Sequence, residues 1–353
     1  MKQVIPTPEY LVHVRLGCAK ELPVFLNEIE ADRIFFLTDE NTFSHCLPFI
    51  HDLFPEAINI TIPAGEENKS LETCTRIWTS LTESKAGRDS CLINLGGGMV
   101  GDLGGFAAAC YKRGIRFVQI PTTLLAMVDA SVGGKTGINF AGFKNQIGTF
   151  QNPAAVFVDP LFLKTLPRRE LASGMAEMLK HGLISDAGHW EYVSNRGLEA
   201  AMDPSVIARS IELKAQIVAA DPFEHGIRAA LNFGHTLGHA LESASFSGEN
   251  ERLFHGEAVA AGMLCEAFLS HRIAGLDADS LRQIQVKIRQ HFPDVKVPDL
   301  RKGGWQDYLF QDKKNKAGQT RFSLIEEIGR VQIHVQVPAS VIEESLEYLN
   351  NTE

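Results

Sequence analysis

The chain has no C-x-x-C pair, no run of basic residues longer than two, no internal repeat, no low-complexity linker, and no apolar stretch approaching the ~18 residues of a membrane span. Each absence excludes a class. The six cysteines (Cys18, Cys46, Cys74, Cys91, Cys110, Cys265) lie at least 17 residues apart, mostly in apolar context, so they read as reduced buried thiols and point to the cytoplasm. With 34 Lys+Arg against 43 Asp+Glu the formal charge is −9, which, without basic clusters, argues against nucleic acid or an anionic membrane as partner. A small molecule is favoured instead. Pro6, Pro8 and Glu9 interrupt the start before a signal-peptide apolar core can develop, so no export signal is expected.

What is present is an ordinary globular composition, 44% hydrophobic and 22% charged over 353 residues, which at about 150 residues per domain suggests two domains. Short β-branched or aromatic runs recur at 12–16, 33–38, 57–62, 91–95, 116–120 and 155–159, with helix-like stretches such as 70–85 and 99–113 between them. That alternation predicts an α/β domain with a mainly parallel sheet. Asp39, Gly65, Gly96 and Thr122 then fall at or just beyond strand ends, where open parallel sheets bind ligands. After Pro160 the period changes to 3.6 residues, at 168–181, from Pro204 onward, and at 229–243, 257–273 and 280–291, so the second half reads as mostly α-helical. A hairpin around Gly329 and a last helix from about Ser340 complete it.

Four segments carry chemistry. Leu95-Gly-Gly-Gly-Met-Val-Gly-Asp102 leaves a strand and opens a helix, so bare backbone and a helix N-terminus can meet a pyrophosphate, although the spacing is not G-x-G-x-x-G. Val132-Gly-Gly-Lys-Thr136 lacks the earlier glycine of a phosphate loop, since position 129 is Asp. Asp129, Lys135, Lys144 and Asn145 remain as polar groups of a loop-like stretch suited to an anionic, hydroxylated molecule. In a helix spanning Arg228–Glu242, Arg228, Asn232, His235 and His239 form one polar stripe, and the two histidines have the i, i+4 spacing of a metal pair. A third ligand is expected from Glu177, which shares a helix face with Lys180, or from His255.

Read together, GGGMVGD, RFVQIPTTLLAMVDASVGGKTGIN, Phe143-Lys-Asn145, RELASGMAEMLKHG, ELKAQIVAADPFEHGIRAALNFGHTLGHALE, FHGEAVAAGM and DKK resemble 3-dehydroquinate synthases, over about residues 33–330. The resemblance implies an NAD-binding α/β domain over residues 1–163, a helical metal- and substrate-binding domain over 164–353, a homodimer, and a Zn or Co ion. It implies conversion of 3-deoxy-D-arabino-heptulosonate 7-phosphate to 3-dehydroquinate and phosphate in the shikimate pathway. By motif, Glu177, His235 and His255 become the metal ligands, and His239 takes a supporting or proton-transfer part in place of the ligand that its spacing alone suggests. Asp39, Glu66, Lys69, Gly97, Gly98, Met99, Asp102, Thr122, Thr123, Lys144, Thr165, Leu166 and Glu170 are assigned to NAD. Lys135, Asn145, Arg228 and Lys314 meet the substrate phosphate, with Arg113 arriving from the partner subunit. Asp129, Lys135, Lys180, Lys214, Asn232 and His239 serve the carbocycle. One local departure is Gly142-Phe-Lys-Asn145, where the family usually reads L-G-K-N.

The chemistry that follows is a loan of two electrons: oxidising a ring hydroxyl to a ketone acidifies the neighbouring carbon, phosphate leaves, and the ketone is reduced again. Ring opening and intramolecular aldol closure complete the sequence. Rival readings are a sibling sugar-phosphate cyclase such as a 2-deoxy-scyllo-inosose synthase, an iron-dependent polyol dehydrogenase, which needs no phosphate clamp, and a non-catalytic NAD-binding module, which needs no Glu177, Lys180 and His255 together.

Overall fold

The computed structural model describes residues 3–246, 252–302, 305–306 and 320–351. The chain forms two compact units, Met1–Pro167 with Met202–Ala215, and Arg168–Ala201 with Gln216–Glu353.

The first unit is built on β1 (Gln3–Pro6), β2 (Leu11–Val14), α1 (Leu22–Glu28), β3 (Ile34–Asp39), α2 (Glu40–His45), β4 (Ile58–Ile62), α3 (Leu71–Glu83), β5 (Cys91–Gly96), α4 (Gly98–Cys110), β6 (Arg116–Pro121), β7 (Lys135–Phe140), β8 (Phe143–Phe150) and β9 (Ala155–Val158). Seven strands form one sheet in the order β1-β2-β9-β6-β5-β3-β4. All neighbouring pairs are parallel except β1 with β2. Every residue of β5 is buried, as a strand covered on both faces must be. Phe35, Leu37, Ile60, Ile77, Leu92 and Leu103 belong to the cluster that fills one side. The chain passes from β3 to β4 on one side and returns to β5 on the other, so the winding reverses between β3 and β5. Ligand crevices open at such reversals, outside the carboxyl ends of the strands, and here those ends are Asp39 and Gly96.

The stretch expected to be loop-like between Asp129 and Asn145 is mostly strand. Lys135 opens β7, and Lys144 and Asn145 lie on β8, an antiparallel two-stranded ribbon. Its glycines hide the strand pattern and permit the pairing: a Cβ on Gly148 would lie 2.3 Å from the Thr136 carbonyl oxygen, and one on Gly137 2.7 Å from that of Ile147.

The second unit contains α5 (Arg168–Ser185), α6 (Ala187–Arg196), α7 (Leu198–Ala201), the end of α8 (Pro204–Ala220), α9 (His235–Ser245), α10 (His255–Leu269), α11 (Ala278–His291), β10 (Arg321–Glu327), β11 (Arg330–Gln336) and α12 (Ala339–Asn351). α10 is its axis, buried almost continuously from Gly256 to Ala267, with α5, α9, α11 and α12 packed on it. An Ala/Gly-rich helix without a polar face has to be interior. The continuous helix expected over Arg228–Glu242 is broken. Residues Ile227–Asn232 form a 3-10 turn, Phe233 is extended, Gly234 takes φ +79°, and the α-helix starts afresh at His235. Arg228 and Asn232 therefore do not continue the stripe of His235 and His239.

No helix of the described residues is long and apolar enough to cross a membrane. All six cysteines are free thiols, five buried and Cys110 exposed. Gly148→Ala is expected to lower stability by about 1–3 kcal/mol through its backbone clash, measured by denaturant unfolding. Gly142→Ala, in open space at φ +83°, is expected to cost about 1 kcal/mol from backbone strain alone.

Candidate active site

In the first unit the sheet's carboxyl edge gathers most of the residues that the sequence assigns to a dinucleotide. Gly97 is the N-cap of α4, Gly98 its first residue, and the Thr122 N–H is bonded to the Gly96 carbonyl at 2.9 Å, which ties the ends of β5 and β6 together. A Cβ on Gly97 would press to 3.1 Å from the Thr123 methyl, so glycine lets the turn pack closely on Thr123. Asp39 caps α2, its Oδ1 taking the Thr42 N–H at 2.7 Å and the Thr42 hydroxyl at 3.0 Å, while Oδ2 makes neither bond. Met99 is half-buried beside them. Thr165 ends a 3-10 turn after β9, followed by Leu166.

Lys69 is the polar anchor of this edge. Only 3% exposed, its ammonium donates to Asp102 Oδ2 at 2.6 Å and Asn145 Oδ1 at 2.5 Å. Burial would lower its pKa, but Asp102 and Glu66 outweigh that and raise it, so the charge is retained. Glu66 Oε1 accepts from the Asn139 amide at 3.0 Å, and Asn139 Oδ1 accepts the Asn145 N–H at 2.9 Å. The ribbon is thereby docked on the Glu66–Lys69 turn, and Asn145 is held at φ +50°. In the sequence Asn139 stands out only as part of an unusual loop, Asn139-Phe140-Ala141, with no role assigned. Lys214 of α8 donates to the Asp129 carboxylate at 2.7 Å and also contacts the Asp129 carbonyl.

Arg113 lies elsewhere in this unit. It is exposed, at φ +68°, just before the amino end of β6, and lines a cavity of about 380 Å³ with Arg88, Arg116 and Glu9. That is the sheet edge opposite Gly97. Lys314 lies outside the described residues.

The second unit brings Glu177, Lys180, His235, His239 and His255 together from α5, α9 and α10. Glu177 is fully buried, with the Lys180 ammonium against one oxygen, His235 Nε2 3.4 Å and His255 Nε2 3.7 Å from the other. Lys180 pairs closely with its oxygen, whereas the two imidazole nitrogens stand back from the other at 3.4 and 3.7 Å. The ligand atoms of Glu177, His235 and His255 all lie within 4.8 Å of one another. His235 Nδ1 is 3.2 Å from the Phe233 carbonyl, and His255 Nδ1 is 3.5 Å from Glu242 Oε2. Each imidazole thus has a partner on one nitrogen and turns the other toward Glu177, as a metal-binding histidine should. The His239 ring lies 5.2 Å from that of His235, at the rim.

Burial raises the Glu177 pKa, but Lys180, His235 and His255 overcome it and hold the carboxyl well below its ordinary range. Burial and then Lys180 push His235 well below its ordinary value, which keeps its imidazole neutral and able to ligate. His255 differs: burial would lower its pKa, but its contacts with Glu177 and Glu242 raise it to about 10, so a metal ion would have to displace its proton. A buried carboxylate with two converging imidazoles is a donor set suited to a divalent metal.

Close helix packing sets this geometry. A Cβ on Gly262 of α10 would fall 1.9 Å from the Gly234 carbonyl, and one on Gly256 2.3 Å from Ser173 Cα of α5. The fully buried Glu266 of α10 accepts the Gly234 N–H at 2.7 Å and the Leu237 N–H at 3.1 Å, capping α9 where His235 begins it. Arg169 clasps Glu257 with two bonds of 2.6 and 2.9 Å and so pins the start of α10 to α5. Glu170 stands in the first turn of α5, its pKa raised by burial. Arg228 and Asn232 occupy the preceding loop, Arg228 against the Pro222 carbonyl and Asn232 bonded to Glu224 at 3.1 Å. Glu242 and Glu266 were missed as site residues. The signal for Glu266 was present, as a lone acid inside an apolar helix.

The family model for the 3-dehydroquinate synthase N-terminal region matches residues 59–173, and that for the C-terminal region matches 174–315. The chain belongs to the 3-dehydroquinate synthase family. A 3-dehydroquinate synthase of Parabacteroides distasonis is 43% identical over 93% of this chain and 94% of its own length. That of Bordetella pertussis is 46% identical over 77% of each. Among solved structures, a 2-epi-5-epi-valiolone synthase of Streptomyces hygroscopicus with NAD+ and Zn2+ bound superposes with TM-score 0.86 at 26% identity, over 99% of both chains. Membership of the 3-dehydroquinate synthase family agrees with the α/β unit and the helical unit, and makes the chain an enzyme. Glu266→Gln is expected to destabilise it by about 1–3 kcal/mol in denaturant unfolding, since an amide cannot accept both N–H groups of α9 from the same position.

Proposed function

We propose that this enzyme converts 3-deoxy-D-arabino-heptulosonate 7-phosphate to 3-dehydroquinate and phosphate, with Glu177, His235 and His255 holding a divalent Zn or Co ion and the carboxyl edge of the first unit holding NAD. The observation that carries the proposal is the buried Glu177 carboxylate, paired with Lys180 on one oxygen and facing two converging imidazole nitrogens on the other, in a family member 43% identical to a named 3-dehydroquinate synthase. The NAD assignment is supported by the Gly97 turn that a Cβ would crowd, and by the NAD+ of the valiolone synthase.

When bound, NAD supplies a reversible two-electron acceptor, and the ion supplies a Lewis acid at the oxygen being oxidised. The chain's own groups do the rest. Asp39 serves the adenosine ribose. Gly97, Gly98 and Met99 present α4's first N–H groups to the pyrophosphate, and Asp102, fixed by Lys69, closes that side. Glu66, Thr122, Thr123, Lys144, Thr165, Leu166 and Glu170 line the remainder. His239, beside His235, accepts the hydroxyl proton and returns it. Lys180, buried against Glu177, keeps positive charge where oxyanion character develops. Lys214 orients Asp129, and with Asn232 they hold the carbocycle. Lys135, Asn145, Arg228 and Lys314 clamp the phosphate. Because one turn of the cycle removes and restores the same hydride, the cofactor ends unchanged.

Arg113, exposed at the opposite sheet edge from Gly97, suits service in a partner subunit's site, and a homodimer follows from that reading. Six free thiols fit a cytoplasmic enzyme.

Purified protein given the heptulosonate phosphate and catalytic NAD is expected to release phosphate with no net NADH, and to stop when a chelator is added. Stoichiometric NADH, or preference for glucose 6-phosphate, contradicts the proposal. His235→Ala is expected to lose metal and at least about 100-fold of the activity while keeping its circular dichroism. Full metal occupancy in that variant contradicts the ligand set.

A further inference from the structure

We propose that Glu242 is a positioning residue for the metal centre, acting through His255; this rests on the metal site proposed above. Glu242 lies on α9, seven residues after His235 and three after His239, so it shares their face of the helix. Its side chain is 8% exposed, and Oε2 stands 3.5 Å from His255 Nδ1 across the α9–α10 contact. His255 therefore lies between two carboxylates, Glu177 at Nε2 and Glu242 at Nδ1.

The two sides of that ring are not equivalent. On the Nε2 side a second imidazole nitrogen converges, His235 Nε2 at 3.4 Å from the same Glu177 oxygen. That is the side with a complete donor set. Glu242, His239 and His255 also offer atoms within 4.8 Å of one another. The His255 nitrogen facing Glu242 is Nδ1, and committing it to a metal there would cost the ring its role through Nε2 with Glu177 and His235. One imidazole cannot direct Nδ1 to a metal with Glu242 and Nε2 to a metal with Glu177 while remaining neutral. Glu242 is accordingly the acceptor for Nδ1–H. It fixes the tautomer that leaves Nε2 with a free lone pair, holds the ring in its plane, and by its charge makes that nitrogen a stronger donor.

The same arrangement gives α9 two jobs. His235 reaches the metal directly, and two turns later Glu242 orients the ligand that α10 supplies. The glycine contact of Gly262 with Gly234 brings the helices close enough for a glutamate to span the gap.

The test measures Co(II) affinity of the full-length protein by competition with a chromophoric chelator, together with the visible absorption of the bound cobalt. Glu242→Gln keeps an acceptor but removes the charge, and Glu242→Ala removes both. The proposal expects affinity to fall about 10-fold in the Gln variant and toward 100-fold in the Ala variant, with the cobalt absorption envelope and the metal-free melting temperature of the Gln variant preserved. Should the Ala variant not fold, the Gln variant decides alone. Affinity within twofold of the unsubstituted protein overturns the proposal. So does a changed absorption envelope in the Gln variant, which would mark Glu242 as a direct ligand. Failure of the unsubstituted protein to bind cobalt would remove the metal reading and this one together, whereas unchanged affinity in the variants removes only the role of Glu242.

Discussion

The second unit depends on one constraint, a carboxylate buried at the meeting of three helices. An ion such as Glu177 is costly to remove from water, and the chain answers with Lys180 at one oxygen and the imidazoles of His235 and His255 at the other. Lys180 is in close contact with its oxygen, but the imidazole nitrogens stand back from the other at 3.4 and 3.7 Å. In the proposed reading a divalent cation fills that gap, which accounts for so much polarity at the centre of a helical core.

Holding three helices to that geometry requires more than apolar packing. α9 and α10 touch backbone to backbone at Gly234 and Gly262, and α5 and α10 do so at Ser173 and Gly256. Side-chain contacts adjust by rotamer changes, but contacts between backbones do not, so the positions of Glu177, His235 and His255 are fixed by the fold itself. Glu266 and the Arg169–Glu257 pair then lock the helix ends from which His235 and His255 project. In the first unit Lys69 plays the corresponding part, tying the α4 turn to the β7–β8 ribbon through Asp102 and Asn145.

The strands of the main sheet were legible because each is a short buried run between turn residues, and β3 and β5 start and stop within a residue of the periodicity. Glu177, His235 and His255 were each ambiguous alone. The spacing favoured His239 as second ligand, whereas the motif resemblance named Glu177, His235 and His255, one of the groups whose ligand atoms lie within 4.8 Å of one another. Two features resisted reading for physical reasons. The β7–β8 ribbon is rich in glycine, which carries no period-2 signal, and the helix break before His235 turns on one glycine at positive φ held by a carboxylate 32 residues later. Glu242 was visible only as one more polar residue, because its partner comes from another helix.

Anomalous X-ray scattering from crystals of the protein grown with cobalt tests the central claim most directly. The account predicts a single strong peak about 2.0–2.2 Å from a Glu177 carboxylate oxygen and from Nε2 of both His235 and His255. A peak lodged instead between His239 and Glu242, or none near Glu177, would contradict it.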